Sequence, residues 1–299
     1  MYDYRYHALS LAAVLLALAV GIVIGVAIGD SNLVSSAKSG IVRDLGSEVG
    51  AAQRQNGQLR AQLSAEEAFA NDLYPIAVHG LLRGRPIGLV FLGNTSNQLD
   101  GAVRNAISQA GGDVVTVVAV REPVDLASLG RDASGTRYAS VGEPGAGGTQ
   151  LVERLGALAG TQLVSGGQAL SHELLNRMRG DLLSAFDGQL GRLEGLVVLR
   201  AEPTGMSPEA AQSADALESG LVRGAVAAGA PTVGVELTSS EPSQIPWYQS
   251  HGLSSVDDVD STAGRAALAY ALAGSHGSYG VKGTANSLLP PVAVTSAHP

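Results

Sequence analysis

An uninterrupted apolar segment opens the pattern of hydrophobic and polar positions along this chain. It runs from Ala8 to Gly29, 22 residues without a charged side chain. As a helix it would be about 33 Å long at a rise of about 1.5 Å per residue, and the hydrocarbon core of a bilayer is about 30 Å thick. A cleaved signal peptide is the alternative, but its apolar part is shorter. The pattern therefore predicts an uncleaved transmembrane anchor over residues 8–29.

The orientation of this anchor in the membrane depends on the few basic residues that flank it. Arg5 and the amino terminus precede it, whereas Lys38 and Arg43 follow it, so the balance of basic residues barely decides the direction. A short stub before the span is typical of a signal anchor. We therefore expect a single-pass membrane protein whose C-terminal part is exported.

Small residues recur every four positions in the anchor and form one stripe along a helix. Such stripes let two membrane helices approach closely, so this one predicts a dimerisation face. The stripe consists of Ala13, Ala17, Gly21, Gly25 and Gly29.

After the anchor, apolar residues fall at alternating spacings of three and four, which is the seam of a coiled coil. Residues 30–75 are therefore predicted to form the stalk of a parallel homodimer, in which a buried Asn56 fixes the register. A solitary amphipathic helix is the alternative, because Gly46, Gly50 and Gly57 weaken a helix. The predicted seam includes Leu45, Val49, Asn56, Leu59 and Leu63.

From residue 84 the periodicity changes to short apolar strands that alternate with helices. Buried strands in this alternation predict an open, mostly parallel, Rossmann-like α/β domain over residues 84–273. The residues 136–148 are predicted to be a mobile loop, and 274–299, rich in Gly, Ser and Pro, an extended or disordered tail. Strands are expected at 86–92, 113–120, 196–199 and 232–237, and helices at 98–110, 150–158, 170–185, 208–229 and 262–273.

Composition excludes several classes of function. The 299 residues include 19 Lys and Arg against 27 Asp and Glu, a formal net charge of −8, and a nucleic-acid-binding protein needs a basic stripe instead. The chain has no Cys, which excludes disulfides, zinc–thiolate clusters and thiol nucleophiles. It also lacks the phosphate-binding and nucleophile motifs of common enzymes, so we expect a binding function without catalysis.

Three segments appear in a fixed order along the chain: HALSLAAVLLALAVGIVIG at 7–25, SSVDDVD at 254–260 and GSHGSYG at 274–280. Together they resemble the actinobacterial copper transporter family MctB. The resemblance implies an envelope protein with a role in copper transport and copper homeostasis, and copper is a ligand only by this resemblance. Relatives also suggest an alternative, a non-enzymatic dimeric scaffold that binds an envelope protein controlling cell-wall hydrolysis during cell separation.

The residues themselves offer few ligands for copper. Cu(I) prefers thiolates and thioethers, and beyond the initiator the chain has only Met178 and Met206. Its six His show no close spacing, and surface or loop positions are expected for them. His276 is the candidate metal ligand because the resemblance falls there.

An acidic cluster precedes the last predicted helix. Asp257, Asp258 and Asp260 could bind a hard cation or act as acid and base, but neighbouring carboxylates in a strand point to opposite faces. We therefore expect a structural or partner-binding motif. In it Asp260 or Ser261 caps the helix that starts at Thr262, and the first two carboxylates hold a turn.

Overall fold

Residues 4–29, 31–141, 143, 146–166, 169–201 and 205–291 are described by the structure, which is a computed structural model. Within these ranges the side chains of residues 28, 31–44, 146 and 169–172 are outside the description. The loop predicted at 136–148 and the tail predicted at 274–299 extend beyond the described residues, at 142, 144–145 and 292–299. The chain divides into two units, residues 1–67 and residues 68–299.

The first unit is helical. It contains α1 (Tyr4–Ile28) and most of α2 (Ser31–Ala77). In the described chain, α1 is the one helix long and apolar enough to cross a membrane, over Tyr4–Ala27, and none of that stretch is buried. The predicted N-terminal apolar helix is therefore confirmed. α2 covers the predicted stalk, but its pairing with a second copy stays a prediction.

The second unit is a seven-stranded sheet with helices on both faces. Its strands are β1 (Pro86–Gly93), β2 (Asp113–Val120), β3 (Leu183–Gly188), β4 (Gly195–Ala201), β5 (Thr232–Val235), β6 (Ser254–Val256) and β7 (Ser278–Tyr279). Its helices are α3 (Asn97–Gln109), α4 (Leu126–Asp132), α5 (Ala146–Ser165), α6 (Ala169–Leu182), α7 (Pro208–Ala227), α8 (Ile245–Ser250) and α9 (Thr262–Leu272), together with the end of α2.

The strand order confirms the predicted α/β class. Along the sheet the order is β3-β2-β1-β4-β5-β6-β7, and every pair is parallel except β2 with β3. From β1 the chain first builds outward to one side, and from β4 onward it builds to the other. Ligands of open α/β sheets bind where the order reverses, at the carboxyl ends of the strands. Here that point lies between β1 and β4.

Both faces of the sheet are buried at its central strands β1, β4 and β5, which explains why these strands are nearly continuously apolar in the sequence. Val90 and Leu92 of β1 belong to the core beneath α5, α6 and α7. Ile87, Leu89 and Phe91 alternate with them and belong to the core beneath α3, α9 and the end of α2.

Several segments differ from the sequence prediction. α4, α8 and β6 form where no element was expected, and α5 starts within the predicted loop 136–148 and extends to Ser165, beyond the helix expected at 150–158. The helix expected at 170–185 ends at Leu182, and the next residues form β3, an edge strand that the pattern did not predict. The sheet also continues into the segment expected to be a tail, because Ser278 and Tyr279 form β7 beside β6. Both residues of this short strand are buried.

Helices α5 and α7 pack together backbone against backbone. Each carries two glycines one turn apart, and a methyl group on any of the four would overlap a backbone carbonyl oxygen of the other helix. The Thr161 hydroxyl also donates a hydrogen bond to the Gly224 carbonyl at 3.2 Å. This is the small-residue spacing seen in α1, used here inside the α/β domain. The four glycines are Gly156 and Gly160 in α5 and Gly220 and Gly224 in α7.

The close contact predicts opposite effects for two helical glycines. Gly160→Ala forces α5 and α7 apart, and we expect it to lower the free energy of unfolding by about 3 kcal/mol. The matched control Gly101→Ala lies in α3 with nothing within 4 Å of the added methyl, so it should raise that free energy by about 0.5 to 1 kcal/mol. Urea unfolding of the full chain in detergent, followed by fluorescence of the single Trp, measures both. Equal stabilities of Gly160→Ala and wild type would contradict the contact.

Candidate functional site

A cavity of about 460 Å³ lies at the point where the strand order reverses. Its walls come from the segment after β2, from the end of β4 and from the first turns of α7. We call it the switch-point cavity. It is lined by Glu122, Arg200, Gly205, Met206, Ala211, Gln212, Ala214, Asp215 and Glu218.

Arg200 is the central charge of this cavity. It is only 9% exposed although it is the penultimate residue of β4. Its Nε donates to Oε2 of Glu218 at 2.8 Å, one Nη donates to the side-chain amide oxygen of Gln244, and the other lies 3.7 Å from Asp215. The guanidinium also stacks 4.6 Å from the ring centroid of Trp247. Buried charges need this degree of pairing, because removal from water is costly.

Glu218 completes the buried ion pair from α7. It is 1% exposed, and this burial raises the pKa of its carboxyl group above the ordinary value. A hydrogen bond with Glu122 and the charge of Arg200 act in the opposite direction, whereas the charge of Asp215 adds to the rise. The cavity thus presents three carboxyl groups to one guanidinium, and two of them, Glu122 and Glu218, share a hydrogen bond and therefore a proton.

Tyr248 holds the backbone beside this ion pair. Its hydroxyl accepts a hydrogen bond from the Arg200 amide at 2.9 Å and donates to the Val235 carbonyl at 3.2 Å. Complete burial raises the pKa of the phenol, so it stays protonated and can make both bonds. The ring therefore links the ends of β4 and β5.

A second buried carboxylate extends the network toward the C-terminal segment. Glu236 is 2% exposed and accepts hydrogen bonds from the Gln244 amide at 2.6 Å and the Ser243 hydroxyl at 2.8 Å. Lys282 forms a salt bridge to it at 2.6 Å and also donates to the carbonyl oxygens of Leu237 and Ser240. Polar groups therefore connect the carboxyl ends of β4 and β5 with the residues that follow β7.

Asp257 is the first residue of the acidic cluster and is fully buried. Its carboxylate accepts hydrogen bonds from the backbone amides of Val281 at 2.8 Å and Lys282 at 3.1 Å. Gly280 packs directly against that carboxylate, and its φ of +134° falls in the region that favours glycine. Asp257 therefore fastens the segment after β7 to the end of β6.

Of the other two acids of the cluster, Asp258 bonds within its own turn and Asp260 bonds to the segment that follows β5. Asp260 accepts from the amide and hydroxyl of Thr238, at 2.8 and 2.9 Å. Asp258 accepts from the Ser261 hydroxyl at 2.7 Å, while its other oxygen is buried without a hydrogen bond to any described residue, and burial raises the pKa of this carboxyl group. Of the two predicted caps for α9, Ser261 fills the position, accepting from the Gly264 amide at 2.8 Å.

The candidate copper ligands are scattered. His276 is exposed in the turn before β7, and across the described ranges no three His, Asp or Glu side chains are grouped to hold a metal ion. Met178 is fully buried in the core under α6, whereas Met206 lines the switch-point cavity. The sequence singled out His276 but gave no reason to prefer one methionine.

The predicted dimerisation residues lie on exposed helix surfaces. On α1 the side chains at Ala13 and Ala17 are exposed, as are the positions of Gly21 and Gly25, and Gly29 follows the helix. On α2 the apolar side chains stay 51 to 58% exposed, and Asn56 is exposed as well. Pairing of these surfaces therefore stays a prediction. The exposed apolar residues are Leu45, Val49, Leu59 and Leu63.

The residues of the switch-point cavity were not predicted from the sequence. Two local signals mark them: Arg200 lies near the end of an otherwise apolar strand, and Glu218 lies in a helix face of Ala, Leu and Gly. Charged residues in such surroundings are buried only when paired. Their partners lie 18 to 44 residues away in the chain, however, so no local pattern could join them.

Comparison with known proteins gives two findings. Residues 1–290 match the sequence model of a family described as "Copper transport outer membrane protein, MctB". Proteins named "Copper transporter MctB" from Mycobacterium bovis and from two strains of Mycobacterium tuberculosis are 27% identical over 295 residues, covering 91% of this chain and 92% of each relative. These names describe a transporter and not an enzyme. They give no support to the alternative role in cell-wall hydrolysis.

The ion pair in the cavity predicts unequal roles for the two acids beside Arg200. Glu218→Gln removes the buried negative charge 2.8 Å from the Arg200 guanidinium, so we expect a loss of about 3 kcal/mol in the free energy of unfolding. Asp215→Asn, the control, removes a partner that is 55% exposed and 3.7 Å away, and should cost less than about 1 kcal/mol. Urea unfolding followed by Trp247 fluorescence compares the two. Similar losses in both variants would mean that burial does not set the strength of this pair.

Proposed function

Because this chain belongs to the MctB family, we propose that it takes part in copper transport as a membrane-anchored protein. The observation that carries the proposal is the match of residues 1–290, which includes α1 and the whole sheet. The apolar helix α1 supplies the anchor, since 24 of its residues have the length and composition of a membrane span. Copper is the cargo in this proposal and not a resident cofactor.

We assign the contact with copper to the switch-point cavity. Met206 brings a thioether, the kind of soft donor that Cu(I) accepts, while Met178 is closed off in the core. Even with one proton shared between Glu122 and Glu218, the three carboxyl groups of the cavity outweigh the single positive charge of Arg200, and this excess of negative charge attracts a cation. A transported ion must also leave its contact, so one thioether among oxygen donors suits cargo better than a closed site of several sulfurs.

We further propose that the α/β domain is exported and that two chains pair in parallel through α1 and α2. The exposed seam on α2 supports the pairing, because Leu45, Val49, Leu59 and Leu63 present apolar surface that their own chain does not cover. The small-residue stripe of α1 supports it within the bilayer.

Copper content of living cells tests the transport role. In a bacterial host that lacks its own protein of this family, expression of the full chain should change cellular copper at least twofold, measured by mass spectrometry after copper loading. Met206→Leu keeps the side-chain volume but removes the sulfur, and should abolish most of that change. Met178→Leu is the matched control and should behave as wild type.

The outcomes of that experiment separate the two parts of the proposal. Unchanged copper content with wild-type protein in the membrane would overturn the transport role itself. Full activity of Met206→Leu at wild-type abundance would be consistent with copper transport but would exclude Met206 and the switch-point cavity as the copper contact.

Cysteine cross-linking tests export and pairing together, since the natural chain has no Cys. In spheroplasts, a membrane-impermeant bis-maleimide should join two copies of Leu59→Cys, which lies on the predicted seam. It should leave Ala61→Cys, on the opposite side of the helix, mostly monomeric. Cross-linking of Leu59→Cys only after lysis would contradict export. Equal cross-linking of the two variants in spheroplasts would contradict the seam.

A further inference from the structure

β3 leaves one edge of the sheet open. It pairs with β2 on one side only, and it is the terminal strand in the order. Ser184, Ala185, Asp187 and Gly188 are exposed. In an antiparallel pair, alternate residues direct their N–H and C=O groups away from the partner strand, and on β3 these groups meet no other strand of the described chain. Such a row is a template for one more strand.

An apolar cavity lies directly beside this edge. Between Ala119 and Val120 the register of β2 with β3 shifts, so Val120 pairs with Leu183 and Val118 pairs with Phe186. All four of these paired side chains line the cavity, which α5, α6 and α7 enclose on the other sides. The bulge therefore turns two side chains of the edge strand toward the same apolar space.

The size of this cavity limits what can enter it. Its volume is about 80 Å³. That is roughly half of the 150 Å³ of an engineered cavity that holds a benzene ring, so it has room for one aliphatic side chain but not for a long acyl chain.

A positively charged side chain, that of Arg179, lies at the rim of the cavity. The guanidinium of Arg179, on α6, stacks 3.8 Å from the ring centroid of Phe186 and is exposed. No described carboxylate forms a salt bridge with it, although the chain as a whole is acidic. The rim thus offers a positive charge to an incoming carboxylate.

We propose that the edge of β3 and the adjoining cavity, which together we call the β3 groove, bind an extended peptide segment of a partner protein. The segment adds a strand beside β3, places one aliphatic side chain in the cavity and sets an Asp or Glu against Arg179. Backbone hydrogen bonds supply affinity in this mode, and the pocket and the charge supply selectivity. The inference does not depend on the copper contact, which lies in a different cavity.

A random decapeptide library displayed on phage is the first probe, selected on the full chain in detergent. We expect enrichment of peptides with an aliphatic residue and an acidic residue at a fixed separation. The tightest peptide, made synthetically, should slow hydrogen exchange of β3 amides at least tenfold and leave the amides of β7, at the opposite edge, unchanged. Failure to enrich any motif, or protection elsewhere in the sheet, would overturn the proposal.

Two arginines on α6 provide the matched variants. Arg179→Gln should weaken the synthetic peptide's Kd about tenfold by fluorescence anisotropy, because it removes the charge at the groove. Arg177→Gln removes an exposed arginine that does not line the cavity and should change the Kd less than twofold. Leu175→Phe narrows the cavity and should weaken the peptide comparably to Arg179→Gln.

Other results would contradict the groove. Equal Kd values for the two arginine variants would exclude the charge contact. A peptide that becomes helical on binding, by circular dichroism, would contradict strand addition. Arg179-dependent displacement of the peptide by fatty-acid micelles, together with tighter binding of the fatty acid than of any selected peptide, would reassign the groove to an amphiphile.

Discussion

The backbone contact between α5 and α7 is the constraint on which most of the second unit depends. Four glycines let the two helices approach until carbonyl oxygens of one occupy the space where side chains of the other would begin. α7 carries Asp215 and Glu218 on the side toward the switch-point cavity, and α5 carries Ala159 and Leu163 on the side toward the β3 groove. A wider spacing would move both sets of residues, because the two helices cover the same face of the sheet. Close packing therefore fixes the two cavities through one interface.

The central elements of this fold were predictable from the sequence, for physical reasons that particular residues illustrate. β1 and β4 are buried on both faces, so their runs of Val, Leu and Ile are nearly unbroken. α7 begins with a Ser cap followed by Pro, the combination that satisfies the first free amides of a helix. Where burial is complete and the ends are marked, local pattern and tertiary structure agree.

The elements that escaped prediction are those whose conformation is decided by distant partners. β3 follows α6 without a break, and four of its six residues are exposed, so its residues carry no strong strand period. Gly156, Gly160, Gly220 and Gly224 read locally as weak helix positions, yet each is required by a helix far away in the chain. The same holds for the acidic cluster, where Asp257 was visible but its donors lie 24 and 25 residues further on. The hydrophobic pattern of a sequence predicts which residues are buried, but it does not predict which distant residues pack or hydrogen-bond together.

The hydrogen bonds of Asp257 to the last described segment decide where the folded domain stops along the chain. Composition places a boundary after residue 273, because glycine and serine become frequent there. A chain shortened at that point would lose β7. The buried carboxylate of Asp257 would lose the two backbone amides that hydrogen-bond it, and that of Glu236 would lose the lysine that neutralises it. Recombinant chains truncated in this glycine-rich stretch, or chains cleaved there by a protease, would therefore be destabilised in the core of the domain and would not simply lose a flexible terminus.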